Sequence, residues 1–164
     1  MRMKISTLFL TSAVILSALL IPTVLAEKPT DVSATWSWYS SDESVRPADG
    51  NLHISAIEHD ILDGDFTGTG EGPFKMTYHP PAPAHPFGFY AGSGKTVFTG
   101  SVKGYSGTCV IMWVGNTKND ECCWDLKWVI ISGTGGLANL RGQGTCWGFG
   151  TTVEMTGKIH FDPS

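Results

Sequence analysis

A period of two constrains this chain more than any other feature. In Val32-Ser33-Ala34-Thr35-Trp36-Ser37-Trp38, Val, Ala and both tryptophans fall on one face, and Ser and Thr on the other. Leu52, Ile54 and Ala56 alternate with His53 and Ser55, and Phe74, Met76 and Tyr78 with Lys75 and Thr77. The pattern returns in Trp124, Leu126, Trp128 and Ile130 against Asp125 and Lys127, and in Val153, Met155, Ile159 and Phe161 against Glu154, Thr156, Lys158 and His160. Alternation of this kind marks half-buried strands, and glycine clusters bound the runs. Thr96–Val102, Thr108–Val114 and the short Gln143–Trp147 bring the count to about eight. Thr108–Val114 is almost wholly apolar, so both of its faces are expected to be covered. No helical repeat follows residue 26.

Two stretches read as loops. Gly115-Asn116-Thr117-Lys118-Asn119-Asp120 has the composition of a hairpin loop. His79-Pro80-Pro81-Ala82-Pro83-Ala84-His85-Pro86 cannot join a sheet interior and reads as a stiff loop over one end of the domain. About eight sequential antiparallel strands close most simply as a meandering barrel. A two-sheet β-sandwich is the alternative. Glycines inside strands suit the barrel, where they allow coiling and corners.

The first 26 residues read as a secretory signal: Arg2 and Lys4, an apolar run from Leu8 to Leu20, and Val24-Leu25-Ala26 as cleavage site. The expectation is one exported domain over residues 27–164. An uncleaved membrane anchor is the alternative, because the apolar run approaches spanning length. Cleavage leaves 138 residues and a net charge of −6. That balance, with no run of Lys or Arg, argues against nucleic acid. An oxidising compartment makes disulfides the expected state of Cys109, Cys122, Cys123 and Cys146. The adjacent pair cannot easily bridge itself, so Cys109 and Cys146 would each join Cys122 or Cys123. Zinc would want paired CxxC motifs, which are absent, and no metal is expected.

Several tempting motifs fail on spacing. Gly92-Ser93-Gly94-Lys95-Thr96 ends like a phosphate-binding loop, but the position of the first glycine holds Phe89, and the residues that follow are strand-like rather than helical. No nucleotide and no cofactor are expected. Gly92 and Gly94 read as a flexible lead-in to a strand. Gly92-Ser93-Gly94 also lacks the outer frame of a nucleophile elbow. His53, His59, His79 and His85 match no metal-ligand spacing. Glu58, Glu71, Asp125 and Glu154 are candidate carboxylates for acid–base chemistry, though a strand carboxylate is more often a solvent-facing charge. The catalytic residues are unknown on this reading. The aromatic residues carry more information. Trp36, Trp38, Tyr78, Trp113 and Trp128 are the candidate ligand-binding residues, because Trp and Tyr pair an apolar body with a polar tip. Core packing is the competing role for Trp36, Trp38, Trp124 and Trp128, which follow strand parity.

The most specific stretch is Ile131-Ser132-Gly133-Thr134-Gly135-Gly136-Leu137-Ala138-Asn139-Leu140-Arg141-Gly142-Gln143-Gly144-Thr145. It resembles the signature of allene oxide cyclase-like and dirigent-like β-barrels, and is most similar to a bacterial and archaeal family of unknown function within that superfamily. Asp63–Gly72 resembles the family's "G-x-F-x-G-x-G-x-G" strand. Phe98–Thr108 resembles its glycine hairpin, with Gly104-Tyr105-Ser106-Gly107 as the turn. The resemblance spans roughly Val32 to Phe161 and implies a closed or nearly closed antiparallel barrel. Gly133, Gly135 and Gly136 would permit the reversal, Leu137 and Leu140 would plug the barrel end, and Arg141 beside Gly142 would tie turn carbonyls or a carboxylate. The cysteines and the proline loop depart from the pattern. Relatives of the wider superfamily close a ring on a fatty-acid epoxide or steer phenol coupling, but none of their catalytic residues maps onto this chain, and fold does not carry function. Three functions follow as expectations: a barrel holding a small apolar or aromatic ligand in its lumen, a cyclase or isomerase with an acid at the cavity mouth, or a ligand-free scaffold whose lumen is filled. Homo-oligomerisation stays open.

Overall fold

The computed structural model describes residues 28–118 and 123–163. The eight strands are β1 (Thr30–Ala48), β2 (Asn51–Gly64), β3 (Phe66–His79), β4 (Phe89–Val102), β5 (Tyr105–Lys118), β6 (Cys123–Gly135), β7 (Leu140–Phe149) and β8 (Thr152–Phe161). Each pairs antiparallel with its sequence neighbours, and β8 closes on β1, so the sheet is a closed up-and-down barrel. Closure removes the sheet edges and excludes the two-sheet sandwich. The proposed signal segment lies outside the described residues.

The strands are longer than alternation alone suggested. Gly115, Asn116 and Thr117 are not loop: they pair with Leu126, Asp125 and Trp124 and continue β5. The β4–β5 reversal is made by Lys103 and Gly104 (φ 50° and 86°), the two left-handed positions of a type I′ turn. Tyr105, Ser106 and Gly107 already belong to β5. The outer face of β5 is also not covered, since Met112 and Val114 are exposed.

The turns divide into two ends. At the lower end lie Asp65, Lys103–Gly104 and residues 136–139. At the upper end lie Asp49–Gly50, the proline loop at 80–88 and Gly150–Thr151. Beyond Ser37, β1 leaves β8 and pairs with β2 alone past a bulge at Ser41/Ser44, while β2 stays paired with β3 up to Leu52.

The inward positions of every strand fill the lumen. Phe66, Phe98, Leu62, Ile111, Trp128, Met155, Leu137 and Leu140 are fully or almost fully buried. Phe66 makes edge-on contacts to Phe98 and Trp128, with centroids 6.0 and 5.9 Å apart. The lower part of the barrel is thus a packed core, not an open cavity.

The described cysteines correct the expected disulfide map. Cys109 and Cys146 are free thiols, buried inside the barrel. Cys109 pairs with Gly133, ten residues along β6 from Cys123, which is about 33 Å of strand. A disulfide needs Cα atoms within about 7 Å. Cys146 lies opposite Leu126 and points inward, whereas Cys123 has the opposite parity on β6. Cys122 lies outside the described residues.

Candidate functional site

The upper end of the lumen is not closed. Trp36 and Trp38 of β1, Glu58 of β2, Phe74 and Met76 of β3, Trp113 of β5, Trp124 and Leu126 of β6 and Val153 of β8 surround a cup. Its enclosed part is small, about 30 Å³, room for about two waters. Beyond this space the cup opens to solvent. Strand parity builds it: the wall residues take inward positions in the upper part of their strands.

One carboxylate, Glu58, lies at the floor, with a second, Asp60, just beneath. Glu58 and Asp60 are two residues apart on β2, so both point inward, and they are only 3% and 2% exposed. Trp113 Nε1 donates to both Glu58 oxygens at 2.8 and 3.0 Å. Trp36 Nε1 donates to Asp60 Oδ1 at 2.9 Å, and the Thr96 hydroxyl donates to Oδ2. Across the sheet, Glu58 faces Gly72 and Asp60 faces Gly70. A Cβ on Gly70 would come within 3.0 Å of Asp60 Oδ2. On β4, a Cβ on Gly94 would lie 2.4 Å from Trp113 Nε1 and 2.8 Å from Glu58 Oε1. These glycines make the room in which acid and indole meet.

Burial raises the Glu58 pKa, and the neighbouring Asp60 charge raises it further, to about 8, against the opposing hydrogen bond from Trp113. Burial also raises Asp60, opposed by its bonds from Thr96 and Trp36. Asp60 accepts from two committed donors and lies deeper. It is therefore the carboxylate better held as an anion, and Glu58 is the neutral acid at neutral pH.

The sequence candidates separate here. Trp36, Trp38 and Trp113 meet at the cup, joined by Trp124. Trp38 and Trp124 meet edge-on at 6.3 Å. Tyr78 sits on the rim, in contact with Tyr90 at 4.9 Å, and Tyr90 in turn with Trp124 at 6.3 Å. Trp128 lies below the cup in the core, with Nε1 bonded to the Thr156 carbonyl at 3.1 Å. Glu58 corrects the expectation of a solvent-facing charge, while Glu71 is indeed exposed and pairs with His59. Sequence reasoning missed Asp60, Thr96 and Gly94. The signal for the acids was present: Leu52, Ile54 and Ala56 set an inward parity that runs on through Glu58 and Asp60 to Leu62.

The glycine-rich turn is structural. Leu137 and Leu140 are fully buried under the lower end. Gly135 takes a left-handed φ of 61°, and Gly136 N–H donates to the Ser106 carbonyl at 2.8 Å. A Cβ on Gly133 would lie 1.9 Å from the Leu137 carbonyl oxygen, and one on Gly142 would meet Ile159. Arg141 donates to the Leu140 carbonyl at 2.8 Å and pairs with Asp162 at 3.1 Å. Among the described residues no group of three or more His, Cys, Asp or Glu is placed to hold a metal.

Residues 34–159 match the model of DUF3224, a family of proteins of unknown function. The chain belongs to that family. A crystal structure of another DUF3224 protein of unknown function, from Shewanella oneidensis MR-1, is similar in fold: TM-score 0.61 at 15% identity, over 84% of this chain and 100% of that one. No match is found among curated proteins.

Proposed function

We propose that this DUF3224 protein is a binding module, and that the aromatic cup at the upper end of its barrel holds a small apolar or ring-bearing molecule. The observation that carries the reading is the convergence of four tryptophans, Phe74 and Met76 on an open cup with one buried acid at its base. An apolar concavity with few convergent polar groups and a shifted acid is the usual form of a small-molecule site. The packed core below moves the ligand from the lumen to the mouth and limits its size.

A second reading has its own observation. A neutral Glu58 facing an apolar cup can deliver a proton to a bound substrate, as an acid-catalysed cyclisation or isomerisation would need. With this reading belongs the proposal that the barrel is a member of the allene oxide cyclase-like superfamily, supported by the resemblance of Ile131–Thr145. Export through the N-terminal segment is likewise proposed, on the signal pattern of residues 1–26.

Native mass spectrometry of protein purified from its own host tests the binding reading. The expected result is a reproducible added mass that is lost on denaturation and absent from a Trp38→Ala, Trp124→Ala double variant. Repeated preparations without added mass would favour a ligand-free scaffold.

A further inference from the structure

The cup has an unusual balance of polar groups. Three of its four indole N–H groups already have acceptors inside the protein: Trp36 on Asp60, Trp113 on Glu58 and Trp124 on the Gly150 carbonyl at 3.1 Å. Among the described residues no Lys, Arg or His lines it. A ligand therefore meets indole and phenyl π-systems and the Glu58 oxygens, with a second carboxylate, Asp60, just beneath. An anion would find no positive charge there, and its burial beside two acids would be costly. A carboxylate has about four acceptor positions, and Trp113 occupies two of those on Glu58. Aromatic faces with a carboxylate below attract cations and repel anions.

Resting on the binding reading above, we propose that the cup takes a small organic cation, an ammonium group bearing methyl or short alkyl substituents, enclosed by Trp36, Trp38, Trp113, Trp124 and Phe74 over the Glu58 carboxylate. The alkyl groups bury against the rings, and the distributed positive charge meets both the π-faces and the acid. The open mouth leaves space for whatever the ammonium group is attached to.

Binding is then linked to a proton. The groups packed around Glu58 are Asp60 on its own strand, Trp36 and Trp38 on β1, Gly70, Gly72 and Phe74 on β3, Gly94 and Thr96 on β4 and Trp113 on β5. Asp60 is the titratable one among them, and His59 acts on it from the outer face of β2. With Glu58 neutral below about 8, a permanent cation must displace its proton. Affinity should rise with pH and level off above that value.

The test uses a matched pair, choline and its neutral isostere 3,3-dimethylbutan-1-ol, with indole as a neutral aromatic probe. The readout is the NMR shift of the indole N–H signals, with core Trp128 as internal control. Choline should perturb Trp38 and Trp124 and bind about tenfold tighter than the alcohol. It should bind about tenfold tighter at pH 9 than at pH 7. Glu58→Gln should remove the pH dependence and the preference for choline. Trp38→Leu, a rim change outside the packed core, should weaken choline more than the alcohol and so lower their ratio. If the alcohol or indole binds as well as choline at pH 9, the cation inference is overturned while the cup remains a binding site. If Trp38→Leu leaves the ratio unchanged, the aromatic cage is refuted. If none of the three probes shifts the rim tryptophans, the binding reading itself falls.

Discussion

At the lower end of the barrel, the turn after β6 folds inward. Leu137 and Leu140 seal the lumen, and the polar atoms of the turn bond to each other and to Ser106. At the upper end β1 runs past β8 and pairs with β2 alone, while β2 stays paired with β3 up to Leu52. One end therefore closes with aliphatic side chains and no buried charge, while the other leaves aromatic walls open above two buried acids. A core can be sealed with apolar groups at no polar cost, whereas a buried carboxylate costs stability unless partners and hydrogen bonds offset its desolvation. The binding site proposed above thus sits at the open, acid-bearing end, opposite the end sealed by packing.

The largest expected effect breaks the lower end. Leu137→Ala with Leu140→Ala removes two fully buried side chains and should cost about 5 kcal/mol or more, much of a small domain's whole stability. Urea titration should show this, with the cup's ligand preference intact in whatever fraction remains folded. The next effect concerns the upper end and pH. Glu58 has a folded pKa of about 8, raised above its ordinary 4.5. The folded state thus binds more protons than the unfolded one between those values, and stability falls as pH rises through that window, by on the order of 4 kcal/mol. Asp60, also raised, adds in the same direction. Glu58→Gln should flatten most of the slope and make the protein more stable than wild type at pH 8.5, read from melting temperatures across pH. A wild type equally stable at pH 5 and 8.5 would mean that the upper end stores no such cost.

The two ends were unequally legible in the sequence. Alternation in Val32–Trp38 and Trp124–Ile130 disclosed strands, and the glycines at 133–136 with Leu137 and Leu140 disclosed a tight turn, because local sterics and parity set both. The acids were harder to see. Glu58 and Asp60 break the apolar rhythm of β2, so they read as a surface run, and only Leu62 beyond them restores the parity. Their burial depends on Gly70 and Gly72 across one ladder and on Trp113 two strands further round the barrel, contacts that no local window contains. The GSGKT string misled in the same way. Its Gly94 is neither a phosphate cradle nor a flexible lead-in, but the position in β4 where a side chain would strike Trp113. The cysteine count misled because it ignores register, which sets Cys109 far from Cys123.

That glycine supplies the next test of the contrast. Gly94→Ala places a methyl 2.4 Å from Trp113 Nε1 and 2.8 Å from a Glu58 oxygen. The strand is packed on both sides, so the indole must move. The expected loss is about 1–3 kcal/mol, accompanied by a shifted Trp113 indole N–H signal. The same change at Gly104, whose added Cβ would meet nothing within 4 Å but whose φ is 86°, should cost about 1 kcal/mol by strain alone and leave Trp113 untouched. If the two variants give the same indole spectrum, Gly94 is not what holds the acid–indole contact.

The smallest expected effect is kinetic and compares the two ends within one molecule. Burial pushes the thiols of Cys109 and Cys146 up to about 12, so neither is reactive at neutral pH while folded. Cys109 sits toward the sealed end, opposite Gly133, and Cys146 sits opposite Leu126 in the wall of the cup. Local opening is easiest where fewer apolar contacts must part, and the cup is already open on one side. Iodoacetamide labelling of native protein, followed by mass mapping, should therefore modify Cys146 a few times faster than Cys109, with both slow against the unfolded chain. A ligand seated in the cup should slow Cys146 and leave Cys109 unchanged. Equal rates, insensitive to any occupant of the cup, would mean that both thiols are exposed only by global unfolding and that the open end is as rigid as the sealed one.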